Sequence, residues 1–334
     1  MKVRARYRNL AAVYGLAVGL LTLAIQPSGY CAEEPFPGPV FVSLKQENGV
    51  VVFPGASFWK GGPTMLYTAI TPDGKVLLVT SPKTGQVYAF DTEKREQIAV
   101  VATGEAPKGV KITPDGKEAW ISNEAGNTIS IIELSTYKVV GTIETEDMPH
   151  NVRFSNDGKI GYVTLQGGAG LGVIDTAKRE VTEVIPIPGI TGPHNLDLSG
   201  DGKTAYVRDT VNSVAVLDLE TGAVKKIIRT GNGHAGIDVL PNGRYVVTGA
   251  IGDSFVTVID PTTLKVVKQI PVGIGPHGVR ASADSRWVYV TVTADNKVVV
   301  IDTKTLEVTN EYSVGQFPFC LLYTSDAADD DTIV

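Results

Sequence analysis

Short apolar runs of four to six residues follow one another along most of the chain, separated by Asp, Asn, Gly, Ser and Pro. From Pro276 to Asp302 the chain reads PHGVRASADSRWVYVTVTADNKVVVID. Val, Ile, Tyr and Trp fill the runs and small polar residues fill the gaps, so the pattern predicts strands at Gly278–Ser282, Trp287–Val292 and Val298–Ile301 in an antiparallel meander. The same phrase recurs upstream.

The turn after the first strand of each phrase sets the period. Gly74, Gly116, Gly158, Gly202, Gly243 and Ser285 close these turns, at steps of 42, 42, 44, 41 and 42 residues. Asp-Gly and Asn-Gly suit the positive φ angles of tight hairpin turns. Four short strands repeated every 40 to 45 residues or so is the signature of propeller blades.

Second strands are predicted at Phe41, Val76–Thr80, Ala119–Asn123, Gly161–Thr164, Ala205–Arg208, Tyr245–Thr248 and Val288–Thr291, which makes seven blades. Third strands end at Asp91, Glu133, Asp175, Asp218, Asp260 and Asp302, five of the six being Asp, whose carboxylate starts turns by accepting backbone N–H groups. The first blade begins on its second strand. The expected fold is therefore all-β: a seven-bladed β-propeller of four-stranded antiparallel blades, whose C-terminal strand after Pro318 returns as the innermost strand of blade 1. Closure of this kind hides sheet edges that would otherwise meet water.

The two ends depart from the repeat. Lys2, Arg4, Arg6 and Arg8 precede an apolar run from Leu10 to Ile25, and small or polar residues follow through Ala32, as in a secretory signal peptide. Residues 1–32 are expected to be removed, 33–39 to form a proline-rich lead-in and 40–319 to form the propeller. A lipoprotein anchored through Cys31 is the rival reading, weakened by the bulky Tyr30 before that cysteine. After Phe319 the chain reads CLLYTSDAADDDTIV where the repeat asks for another strand and turn. Residues 320–334 are therefore expected to be a non-native or disordered tail, of translated adapter sequence or of acidic residues, which cuts the closing strand short.

Charged residues make up 20% of the chain and the net charge is −6, with no basic excess to hold a nucleic-acid backbone. No later apolar segment has membrane-spanning length. The two cysteines, Cys31 and Cys320, build no disulfide framework. A periplasmic monomer is the expectation, with no nucleic-acid partner and no membrane span.

Candidate chemistry gathers at one place in the repeat. All four histidines lie there: His150, His194 and His277 each follow a proline eight residues before the turn position, and His234 stands nine before Gly243. They belong to blades 4 to 7, at the mouth of the innermost strands, with Lys108 in the equivalent place of blade 3, Leu66 in blade 2 and Phe319 in blade 1. Chance is a poor explanation for such placement. Converging neutral imidazoles suit copper, zinc or iron, or an axial haem position. They also suit rim histidines that tie blades together, or a site for an anion or an organic ligand. Three residues further on stand Lys111, Arg153, Asp197, Asp238 and Arg280, and the acids and bases there pair across blades or, in a hydrolase, serve as catalytic groups.

The phrases Tyr289-Val290-Thr291, Val298–Asp302 and Pro276–Ser282 resemble the YVTN family of β-propeller repeats. That family is related to the haem d1 domain of cytochrome cd1 nitrite reductase and to the seven-bladed lactonases. The resemblance spans Val40 to Phe319 and implies a propeller, while the eight blades of the d1 domain depart from the seven counted here. Three functions are open: an exported binding or accessory protein with a small-molecule, metal or protein ligand at the histidine-lined mouth; a redox or cofactor-handling protein that holds copper or haem d1; and a lactonase-like hydrolase using Asp197, Asp238, Arg153 and Arg280.

Overall fold

The computed structural model describes Phe36, residues 38–168 and residues 170–323. Seven four-stranded antiparallel sheets are arranged as blades. Blade 2 starts at Thr68–Ile70, and the inner strands of the next five are Pro107–Ile112, Pro149–Phe154, Pro193–Leu198, Ile237–Val239 and Pro276–Ala281. The inner strand of blade 1 is Pro318–Tyr323, which pairs with Val40–Leu44, placing Val40 opposite Tyr323 and Val42 opposite Leu321. Each inner strand touches the inner strands of both neighbouring blades, so the ring is closed.

The closing strand runs through Tyr323, four residues into the segment that the sequence assigned to a tail. Cys320, Leu321, Leu322 and Tyr323 are all buried. An inner strand packs on both faces, and this short apolar run suits that position. Residues 324–334 and the expected signal peptide at 1–32 lie outside the described residues. No helix among the described residues is long and apolar enough to cross a membrane.

The repeat is built by its turns. In five blades a Thr or Ser two residues before the turn Asp donates its hydroxyl to that carboxylate, as Thr71 does to Asp73 at 2.6 Å and Ser199 to Asp201 at 2.6 Å. The same oxygen accepts the backbone N–H two residues later, which fixes the reversal. At the turn position Gly74 has φ of 71°, and Ser285 takes φ of 57° in the blade that lacks glycine. At third-strand ends Asp91 accepts from the N–H groups of Glu93 and Lys94, Asp218, Asp260 and Asp302 do the same in blades 5, 6 and 7, and Asp175 accepts from that of Lys178 in blade 4.

The hydrophobic core is seven slabs, one between each pair of adjacent blades. Trp120 packs edge-on against Phe154 in the slab between blades 3 and 4, and Trp287 lies in the slab between blades 7 and 1. Both are blade packing, and so is Trp59 between blades 1 and 2. Apolar burial is thus radial, and the axis is left to polar side chains.

Candidate functional site: tiers of side chains along the axis

Around the axis the inner strands come close enough to exclude side chains at certain positions. A Cβ on Gly109 would lie 2.3 Å from the carbonyl oxygen of His150, and one on Gly278 would lie 2.9 Å from that of Phe319. Glycine after the Lys or His position therefore lets neighbouring strands approach, and the preceding residue turns into the channel mouth.

The first tier is a closed circle of rings. His150 stacks on His194 with centroids 3.8 Å apart, His194 meets His234 at 4.6 Å, and His234 meets His277 at 5.2 Å. Phe319 follows at 3.8 Å, then Tyr67 at 5.7 Å, and Tyr67 returns to His150 at 5.3 Å. His150, His194 and His277 are buried and His234 is half-buried.

Hydrogen bonds assign the ring nitrogens. His150 Nδ1 is 2.7 Å from Glu124 Oε2, His194 Nδ1 is 2.5 Å from Gln166 Oε1, and His277 Nδ1 is 2.8 Å from the carbonyl oxygen of Phe319. A carboxylate and a carbonyl only accept, so the proton sits on Nδ1 of His150 and His277, and the amide oxygen of Gln166 places it likewise on His194. Each Nε2 then presents a lone pair. That of His150 accepts from the Tyr67 hydroxyl at 2.7 Å. That of His277 is buried and has no hydrogen-bond partner among the described residues.

His194, His234 and His277 each offer a ligand atom, and these atoms all lie within 4.8 Å of one another. His150 is outside this group, its two nitrogens held by Glu124 and Tyr67, and the Tyr67 hydroxyl also lies 3.4 Å from Nε2 of His194. Lys108 does not enter it either: its Nζ stands 3.8 Å from Glu124 Oε2 at the rim.

Electrostatics keep the imidazoles neutral. Burial lowers the pKa of His150, against the opposing pull of Glu124. His194 is pushed well below the ordinary value by burial and then by the other imidazoles, and His277 likewise by burial and then by His234. His234 falls to about 4, through burial and then the charges of His150 and Lys108. Burial raises Tyr67 well above the usual phenol, so it stays a donor. For Glu124 burial alone would raise the pKa, but the His150 hydrogen bond and the Lys108 charge outweigh it, and the group is a carboxylate. Neutral nitrogens whose opposite N–H is spent on an oxygen acceptor have the form that metal-ligating histidines take.

Below the rings lies an amide tier. Asn151 Nδ2 donates to Asn195 Oδ1 at 2.5 Å, and Asn195 Nδ2 donates to the carbonyl of Ala235 at 2.9 Å. A cavity of about 20 Å³, large enough for one water, touches His277, Tyr67 and both asparagines.

The third tier carries Lys111, Arg153, Asp197, Asp238 and Arg280 around a cavity of about 190 Å³. Arg153 Nε meets Asp197 Oδ1 at 3.1 Å and Arg280 Nη1 meets Asp238 Oδ1 at 2.9 Å, both across adjacent blades. The second oxygen of each acid accepts a backbone N–H from the following blade, Val239 for Asp197 and Ala281 for Asp238, at 2.7 Å. Both carboxylates are engaged as staples between blades.

Tyr67, Glu124 and Gln166 were not read from the sequence. Tyr67 stands one residue past the histidine register, where the following blades carry Gly109, Asn151 and Asn195. Glu124 and Gln166 each follow the second strand of the blade before the histidine they hold, 26 and 28 residues upstream. That recurring offset is the signal that finds them.

Among family profiles, residues 59–196 match the YNCE-like beta-propeller and residues 204–318 the cytochrome D1 heme domain. Solved structures with the same fold include the dihydro-heme d1 dehydrogenase NirN in complex with DHE, at 17% identity and a TM-score of 0.64 over 88% of this chain and 67% of that one. Hydrazine synthase of Kuenenia stuttgartiensis aligns at 20% identity and a TM-score of 0.70, over 77% of this chain and 88% of that one. A candidate 6-phosphogluconolactonase of Bacteroides uniformis aligns at 18% identity and a TM-score of 0.74, over 86% of this chain and 99% of that one. Comparison with curated proteins gives no match.

Proposed function

This chain is a seven-bladed β-propeller of the cytochrome d1 and YNCE-like kind, and from that premise we propose that it is an exported binding protein whose ligand is a transition-metal ion held by His194, His234 and His277. The observation that carries this reading is the orphaned Nε2 of His277, buried beside two other imidazoles whose ligand atoms lie within 4.8 Å. An unpaired buried acceptor costs about 1–3 kcal/mol, and a metal ion would satisfy it. Imidazole donors suit zinc and copper, and the Irving–Williams order favours copper between them.

Metal–nitrogen bonds of about 2.0–2.1 Å put tetrahedral ligand atoms about 3.4 Å apart. Loading would therefore draw the three rings inward from separations of up to 4.8 Å. His234, less buried than the other two, has the most freedom to move.

Haem d1, which the family likeness brings to mind, does not fit inside the channel. The rings close on one another at 3.8–5.7 Å, and the cavities below them measure about 20 and 190 Å³. Pockets for organic ligands run from about 300 Å³ upward. The lactonase reading finds its two acids already paired with arginines and backbone donors.

Export rests on the basic-then-apolar N-terminal sequence, and the first residue of mature protein recovered from a periplasmic fraction tests it. The metal reading is tested by stripping purified protein with a chelator and titrating copper and zinc. One ion per chain is expected, with a raised melting temperature, since ligand at 100 times its Kd adds about 2.7 kcal/mol. His194→Ala and His277→Ala should abolish both effects. Absence of binding by wild-type protein would end the proposal.

A further inference from the structure

In blades 2 to 7 the turn between the third and fourth strands holds one residue in the left-handed region, four places after the acid that ends the third strand. Tyr137, Arg179, Gly222, Leu264 and Leu306 take this place in blades 3 to 7, at φ between 52° and 69°. Each turns back onto the blade before it. Tyr137, Leu264 and Leu306 pack against the apolar slab shared with that blade, Arg179 pairs with Glu118 of blade 3, and a Cβ on Gly222 would meet Ile185 of blade 4 at 3.4 Å. These residues plug the crevices between blades.

Blade 2 departs from this. Its residue there is Arg95, at φ of 60° and exposed, whereas the side chains in that place of blades 3, 4, 6 and 7 are half-buried. Between blades 1 and 2, on the face opposite the imidazole mouth, lies a cavity of about 520 Å³. We propose that it binds an aromatic monocarboxylate, whose ring enters the crevice and whose carboxylate meets Arg95.

Apolar surface is the first ground. Phe41, Val52, Phe53 and Trp59 line the cavity. Phe41 meets Trp59 edge-on at 5.5 Å, and Phe36, which also lines it, stacks on Phe53 at 5.6 Å. Aromatic walls hold a flat ring by edge and offset contacts as well as by burial.

Charge is the second. Arg95 is the one charged residue among the described residues that line the cavity. Arg179 has Glu118 to answer it, but the residue of blade 1 in the place of Glu118 is Val40, opposite Phe53 as Glu118 is opposite Glu133. The Arg95 guanidinium accordingly makes no ion pair or hydrogen bond among the described residues. Its planar fork matches the paired oxygens of one carboxylate.

The third ground is a spare donor. Trp59 is 6% exposed, and its indole N–H is buried without an acceptor among the described residues. Buried N–H groups are seldom left so, and an oxygen of the ligand would supply what the protein lacks. Size agrees: sites for small organic molecules measure about 300–1,000 Å³, a range that this cavity reaches and the axial cavities do not.

The test is calorimetric titration of the full chain with naphthylacetate and with its neutral amide, naphthylacetamide. One saturable site per chain is expected, with the amide about tenfold weaker for want of a charge-assisted bond. Arg95→Gln should bring the acid down to the affinity of the amide and leave the amide as it was, which shows that the crevice itself has survived. Trp59→Phe keeps a ring and loses the N–H, and should weaken both compounds severalfold. Arg95→Tyr, which copies the plug of blade 3, should abolish binding of both. No saturable binding by wild-type protein, equal affinity for acid and amide, or acid binding that survives Arg95→Gln unchanged would overturn the proposal.

Discussion

His277 donates its Nδ1 hydrogen to the carbonyl of Phe319, 2.8 Å away, and so couples blade 7 to the strand that closes blade 1. The bond sets the tautomer of the imidazole and aims its Nε2 at the other rings. Ring closure and the candidate metal site therefore share one hydrogen bond.

Leu321, in the middle of the closing strand and fully buried, should carry much of that closure. Leu321→Ala is expected to cost about 2–5 kcal/mol. Val140→Ala, at an exposed outer-strand position, should stay within about 0.5 kcal/mol of the parent. Denaturant midpoints of the two variants check the contrast; equal values would mean that the clasp adds little.

Tyr67→Phe removes the hydroxyl that satisfies His150 Nε2. A buried acceptor without its donor costs about 1–3 kcal/mol, measurable by chemical denaturation. The metal trio does not include His150, so the titrated stoichiometry should remain one per chain. A change in stoichiometry would place His150 among the ligands after all.

Acid should act on the imidazoles before it acts on the carboxylates. In the unfolded chain histidine takes up a proton near pH 6.5, whereas the folded histidines are held lower, His234 at about 4. Between these values the unfolded state binds more protons, so stability is full above pH 6.5 and falls as pH drops through the window. For His234 alone the limit is about 3 kcal/mol. Depressed carboxylates such as Asp157, at about 2, contribute their loss only below pH 4 or so. Stability measured from pH 7 to 4 should fall, and His234→Gln should flatten the slope.

Glu124→Gln keeps a hydrogen-bond acceptor beside His150 and removes the negative charge. Because Glu124 raises the pKa of His150 against burial, the substitution should lower it further. Imidazole nitrogen shifts followed by NMR titration read this directly, and an upward shift would contradict the assigned pairing.

The blades were legible because turn chemistry repeats: Thr71 with Asp73 and Ser155 with Asp157 serve the same reversal two blades apart. The imidazole ring was legible because proximity to an axis follows from the period alone. Tyr67 was not, since its side chain reaches the ring from a position that is glycine at 109, and only the angle between blades reveals that reach. Glu124 and Gln166 lie in connections outside the strands, and their offset of 26 and 28 residues from the histidine of the next blade reads as a signal only once one of the two pairings is known. Cys320 to Tyr323 were set aside with the tail because their composition broke the repeat, yet burial on both faces asks only that a closing strand be apolar.

Because the strand bearing Phe319 follows every other blade in the polypeptide, a growing chain builds six sheets and most of a seventh before His277 finds its acceptor. Up to that moment the packing of blades 4 to 7 on one another spaces the imidazoles, and only the tautomer of His277 is left unset. Competence to hold a metal would thus wait on the closing strand, and a fragment ending between Val292 and Pro318 would carry every histidine without the acceptor that fixes the His277 tautomer.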